Sequence, residues 1–265
     1  MQTYKLIVSD FDRTLADQDL NVSDTNKQAI KRWQDAGNLF SIASGRSYLM
    51  IKDRCQGIDL KTPIIGRGGA EIVDPKTEET LFEESMSEER VGVLLDVVKR
   101  HNLKCVIEIG DKVYSDYYKN LLFPSLTYLP FDKFKLQPVP KIVIFVDEDR
   151  REEESRIMEE EVIKKFPDLH AAESVSYRGR NWDITTIGST KNFAMLKLMQ
   201  ILDIPREEIV GIGDGYNDFP LLETCGFKVV VENGAEDLKA IADLIVPSYQ
   251  DDGVAYLIDQ LLKEN

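Results

Sequence analysis

Asp10 and Asp12, two residues apart in KLIVSDFDRTL (5–15), are the first side chains whose types and spacing suit chemistry. In an extended chain that spacing sends both acids to one side of the backbone. Two like charges about 4 Å apart repel by roughly 4 kcal/mol at an effective dielectric near 20, so the pair calls for a cation or for one acid to stay protonated. A plain polar turn would use the same residues; the difference lies in their company. Ser44 opens Ser44-Gly45-Arg46, a hydroxyl followed by backbone N–H groups that suit a phosphate at the start of a helix. Lys191 is expected in the first turn of a helix, where the macrodipole disfavours a cation, so it needs an anionic partner. GDGYND (213–218) adds Asp214 and Asp218 behind glycines that permit a tight turn. Four acids and one lysine around a serine outline a magnesium and phosphoryl site, because Mg²⁺ prefers hard oxygen ligands.

The elements that must position these groups alternate. Residues 6–8 are β-branched and continuously apolar, as a strand buried on both faces of a parallel sheet would be. Its acids then lie just beyond its C-terminal end, where open α/β sheets bind ligands. Ser23 and Asp24 cap a helix that carries Ile30, Trp33 and Ala36, and Gly37 stops it. Residues 39–43 form a second buried strand ending at Ser44, which completes a βαβ unit. A third short strand, 63–65, runs into a loop at 66–69 that the glycines suggest is flexible. From about residue 70 the pattern changes. A hairpin turns at Asp74-Pro75-Lys76, and Ser87 caps a helix with Val91, Leu94, Leu95 and Val98 inward. Strands follow near 104–109 and 113–115, then a proline-bearing stretch (124–140), then a strand at 141–146. An amphipathic helix carries Met158, Val162 and Phe166 at four-residue spacing, and short strands lie near 175 and 182–186. Alternation resumes after Gly188: a helix with Ala194, Leu198 and Ile201, a strand at 209–212 ending in GDGYND, a strand at 228–231, a helix near 235–242, a strand at 244–246 and a last helix from Val254.

The expected fold class is therefore α/β. Residues 1–82 and 188–265 make a doubly wound, mostly parallel Rossmann-like core sheet, and 83–187 form an inserted α+β domain.

Composition narrows the partners. The 265 residues carry 33 basic and 47 acidic side chains, a net charge of −14, which disfavours nucleic acid and anionic membranes. Three scattered cysteines, Cys55, Cys105 and Cys225, suggest neither a disulfide framework nor a thiolate metal site, and a reduced cytoplasm fits them. No apolar run approaches a membrane span. His101 and His170 have no metal-ligand spacing. Both a monomer and a homodimer are compatible with this chain.

DFDRT, Ser44, Lys191 and GDGYND, in this order and at strand and helix ends, resemble the four motifs of the haloacid-dehalogenase-like phosphatase superfamily. The large insertion between the second and third is similar to that of its Cof-like sugar-phosphate phosphatases, which implies that 83–187 is a cap domain that selects the substrate. The resemblance implies roles: Asp10 as nucleophile forming an aspartyl-phosphate and as a metal ligand, and Asp12 as acid and base, its carbonyl on the metal. Ser44, Gly45, Arg46 and Lys191 would hold the phosphoryl group. Asp214 would ligate Mg²⁺, with Asp218 beside it as a ligand or its support and Asn217 as a polar contact. The substrate would be a small phosphorylated metabolite; a phosphomannomutase-like mutase and an idle metabolite-binding protein are the alternatives. Arg13 stands where the family usually has Gly, and Tyr177, Arg178, Arg180 and Trp182 form a segment suited either to an anionic sugar-like ligand or to a solvated hairpin.

Overall fold

A computed structural model describes residues 4–117, 123–176 and 179–264. The chain divides into two compact units, Met1–Phe82 with Thr190–Asn265, and Glu83–Ser189.

In the first unit a five-stranded sheet has the order Leu244–Val246, Phe227–Val231, Ile209–Gly213, Leu6–Ser9, Leu39–Ile42. Every neighbouring pair is parallel. Leu6, Ile7 and Val8 are fully buried at its centre, as a strand covered on both faces must be. The helix Asp24–Asp35 starts where Ser23 accepts the Asn26 N–H at 3.0 Å and buries Ala29, Ile30 and Trp33. The helix Lys191–Leu202 packs Ala194, Met195 and Leu198 against Leu6, Val8 and Ile209. A small sheet of Ile64–Gly66, Glu71–Val73 and Thr80–Glu83 extends from a bridge between Ala43 and Ile65. The loop expected to be flexible is instead a bonded 3₁₀ turn, Arg67–Gly69. Of the helix expected near 235–242 only Glu236–Lys239 is α-helical, and the last helix runs over Gly253–Glu264.

The second unit is a six-stranded sheet, antiparallel except for its last pair: Leu169–Ser176, Gly179–Thr186, Lys141–Phe145, Lys104–Ile109, Lys112–Tyr114 and Thr127–Leu129. The helix Glu88–His101, capped by Ser87, packs Val91, Leu94, Leu95 and Val98 on Cys105, Ile107, Ile142, Ile144 and Ile184. The second helix departs from the four-residue spacing read from the sequence. It is α-helical over Arg151–Ile157, then widens into a π-helical turn over Met158–Ile163, where the Lys164 N–H reaches the Glu159 carbonyl at 3.0 Å. The strand Thr127–Leu129 lies within the proline-bearing stretch for which no element was expected.

Candidate active site

Parallel strands bring their C-terminal ends to one edge, so Asp10, Ser44 and Asp214 emerge together. Register is kept past the strands by backbone bonds, Asp10 N–H to the Ile212 carbonyl at 2.8 Å and Ala43 N–H to the Ser9 carbonyl at 2.9 Å. At their meeting point stands Lys191. Its ammonium donates to Asp10 Oδ1 at 2.6 Å and to Asp218 Oδ1 at 2.5 Å, and all three side chains are essentially buried. The anionic partner that a lysine in the first helical turn requires is therefore a pair of carboxylates. The other oxygen of Asp218 accepts from the Asp214 and Gly215 N–H groups, both at 3.0 Å, which ties the 3₁₀ turn Tyr216–Asp218 back to the strand end.

Asp10, Asp214 and Asp218 place one oxygen each within 4.8 Å of one another. Three carboxylates and one ammonium leave an excess of negative charge in a site with little solvent. Burial first, then the neighbouring Asp218, holds the Asp10 carboxyl well above its usual range, against the pull of Lys191. The same two causes push Asp214 up to about 7. Burial works against the charge on Lys191, but Asp10 and Asp218 outweigh it and its pKa is raised. This all-oxygen, over-charged cluster fits a hard divalent cation such as Mg²⁺.

Asp12 is placed elsewhere. Its carboxylate is half-buried and gripped by Arg46, with Nε at 3.1 and 2.9 Å from the two oxygens and Nη2 at 2.5 Å from one. The two acids expected on one side thus face different cations, Asp10 towards Lys191 and Asp12 towards Arg46. Ser44 is fully buried, and its Oγ accepts the Arg46 N–H at 3.1 Å. The helix start beyond it offers less to a phosphate than the sequence suggested. Its first amide, that of Tyr48, is already bonded to Glu71 Oε1 at 2.6 Å. Gly45 sits between Ser44 and Arg46 in the same turn. Asn217 is exposed and takes no part in the bonds around Lys191.

Arg13 is exposed with a left-handed backbone, φ 58°, and its carbonyl accepts from Asn233 Nδ2 at 3.0 Å. Arg180 pairs with Glu173 at 3.2 Å and Glu148 at 3.8 Å, and Trp182 packs on the hydrophobic core of its own unit. Of that segment's candidates, these two are occupied structurally; Tyr177 and Arg178 lie outside the described residues. Sequence reasoning missed the buried Arg67–Glu71 pair, since charges in a glycine-rich loop read as solvated.

Residues 7–258 match the family model of haloacid dehalogenase-like hydrolases. The chain belongs to that family. The hydrolase is 28% identical to the 5-amino-6-(5-phospho-D-ribitylamino)uracil phosphatase YitU of Bacillus subtilis, with 96% of each chain covered. Its fold is similar to that of a haloacid dehalogenase-like hydrolase from Bacteroides thetaiotaomicron, with a TM-score of 0.86 at 24% identity over 98% of this chain and 100% of that one. It is also similar in fold to the subclass IIB sugar phosphatase BT4131, with a TM-score of 0.77 at 21% identity over 97% and 98%. No helix among the described residues is long and apolar enough to cross a membrane.

Proposed function

We propose that this hydrolase is a Mg²⁺-dependent phosphatase of a small phosphorylated metabolite, a sugar phosphate or a related phosphorylated polyol, working through an aspartyl-phosphate. The observation that carries the reading is Lys191 held between Asp10 and Asp218, with Asp214 in the same cluster. The relatives named as a phosphoribitylamino-uracil phosphatase and a sugar phosphatase support the substrate class.

Lys191 bonds one oxygen of Asp10 and leaves Oδ2 to attack phosphorus. As that bond forms, the ester P–O bond breaks, and Asp12, which takes up a proton and gives up its pair with Arg46 when substrate binds, gives that proton to the departing alkoxide. Asp12, now a carboxylate, takes a proton from water as the water oxygen attacks the acyl phosphate, which returns Asp10 and releases orthophosphate. Lys191, Ser44 and the turn through Gly45 hold the phosphoryl oxygens, while Arg46 is a positioning group for Asp12 before it is a ligand for phosphate. Asp10, Asp214 and Asp218, with the Asp12 carbonyl, would hold Mg²⁺, which when bound neutralises the charge that otherwise repels a carboxylate from a phosphate. The unit Glu83–Ser189 is the substrate-selecting part of this reading. A cytoplasmic location belongs to it as well.

A screen of phosphorylated metabolites with released orthophosphate as readout tests the proposal. Hydrolysis in Mg²⁺ that stops in EDTA is the expected result. Full turnover in chelator would remove the metal from the mechanism. Isomerisation without phosphate release, dependent on a bisphosphate activator, would make the protein a mutase. Metabolite binding with no turnover at all would make it a binding protein.

A further inference from the structure

One loop touches both ends of the proposed phosphoryl-gripping machinery. It runs from the strand Ile64–Gly66 to the strand Glu71–Val73. At the serine end, the Gly68 N–H donates to the Ser44 carbonyl at 2.9 Å and the Arg67 N–H to the Arg46 carbonyl at 2.8 Å, while Ser44 N–H donates to the Ile65 carbonyl at 3.0 Å. Glu71 Oε1 takes the Tyr48 N–H at 2.6 Å and so anchors the helix that follows Arg46. At the lysine end, Gly69 lies directly against the start of the helix Lys191–Leu202. A Cβ on Gly69 would collide with the Thr190 carbonyl and stand 3.0 Å from the Lys191 nitrogen.

An ion pair sets the shape of the loop itself. Arg67 Nη1 bonds Glu71 Oε2, and the two side chains are only 2% and 5% exposed. The Glu71 carboxylate passes over Gly66, where a Cβ would occupy its place, and Arg67 holds a left-handed φ of 52°. A buried ion pair gives little net stability, because hydrophobic side chains of similar volume do as well or better. Backbone strain held by surrounding bonds is a mark of sites where geometry matters more than stability.

We propose that the Gly66–Glu71 loop is a brace that fixes the distance between the Ser44 turn and Lys191, and that Arg67, Glu71 and Gly69 are positioning residues for phosphoryl transfer. The inference rests on the phosphatase reading above. None of the three touches the reacting atoms; they act through the backbone of Ser44, Arg46 and Thr190.

The test measures inhibition by orthovanadate and hydrolysis of a small aryl phosphate, with Glu71→Gln and Gly69→Ala compared to the wild type in Mg²⁺. Glu71→Gln keeps an acceptor for Tyr48 but breaks the charge pair; Gly69→Ala pushes on Thr190 and leaves every charge in place. Both are expected to weaken vanadate inhibition and to lower kcat/KM by about tenfold or more, since small misplacements of gripping groups are costly. For Glu71→Gln the Mg²⁺ concentration for half-activation should stay within about twofold, because its contacts lie at the serine end, away from the carboxylate cluster; Gly69→Ala acts through Lys191, which bonds two of those carboxylates, so it is judged on vanadate and kcat/KM alone. Should Glu71→Gln fail to fold because Arg67 stays buried without that carboxylate, the double variant Arg67→Met/Glu71→Gln removes the cation and serves for the same measurement. A folded variant with wild-type vanadate inhibition and kcat/KM overturns the brace, even if its Tm is lower. A wild type that neither hydrolyses phosphomonoesters nor binds vanadate fails earlier and takes the phosphatase reading with it.

Discussion

Lys191 bonds one oxygen of Asp10 and one of Asp218, and the consequences at the scale of single residues follow from that sharing. Asp10→Asn keeps an oxygen to accept from Lys191 and removes one of the three crowded negative charges. Its kcat should fall by about a hundredfold or more, because an amide cannot form the acyl phosphate. The Tm of the metal-free protein should hold or rise; a variant that retained turnover would leave Asp10 without its assigned role. Arg46→Ala separates two uses of that cation. If it steadies Asp12, kcat falls with little change in KM, on the scale of about tenfold or more given that proton transfer contributes roughly 10²–10⁴. A rise in KM at constant kcat would mean that Arg46 grips the substrate instead. The acids, the serine and the lysine were legible in the sequence because each follows an apolar run or starts a helix. Which cation faces which acid was not legible, since that depends on contacts between residues as far apart as Asp12 and Arg46.

Among the elements, the helix Asp24–Asp35 gives a direct measure of capping. Ser23 Oγ accepts the Asn26 N–H and also donates to Asp252 at 2.5 Å, which joins the start of this helix to the turn before the last one. Ser23→Ala should lower stability by about 1 kcal/mol or more, read from urea unfolding at constant m-value. A loss below about 0.3 kcal/mol would show that neither bond contributes in water. Arg180→Ala, on the hairpin Leu169–Ser176 and Gly179–Thr186, should change stability by less than about 1 kcal/mol, because its partners are half-exposed. It should also leave relative kcat/KM among substrates unchanged; altered selectivity would show that Arg180 leaves Glu173 for a ligand. The sequence was a fair guide to these elements where apolar residues recur regularly. It failed where regularity is broken from outside: the π-helical turn at Met158–Ile163 and the strand Thr127–Leu129 take their form from pairing and packing, not from local pattern.

The molecule as a whole carries a charge of −14, and the sheet edge that holds Asp10, Asp214 and Asp218 concentrates part of it. Asp10 and Asp214 both titrate above their usual range, through burial first and Asp218 second, with Asp214 near about 7. In the metal-free protein the folded state therefore holds protons that the unfolded chain has released. The part of the stability that these two acids contribute should be fully present below about pH 4 and be lost as pH rises through about 7, the reverse of the behaviour of a salt-bridged acid. Mg²⁺ binds the deprotonated form, so the gain in Tm on adding it should be larger at about pH 7.5 than at about pH 5. Equal gains at both would contradict a cation held by these acids.

The central strand Leu6–Ser9 pairs with Ile209–Gly213, so its last neighbour is roughly 200 residues downstream. On the ribosome the first strand waits while the whole of Glu83–Ser189 is made, and that unit has all its strands and helices before the sheet of the other can close. Lys191, Asp214 and Asp218 arrive after it. The acidic edge is thus assembled only after Asp218 has been made, when every group that restrains it is present.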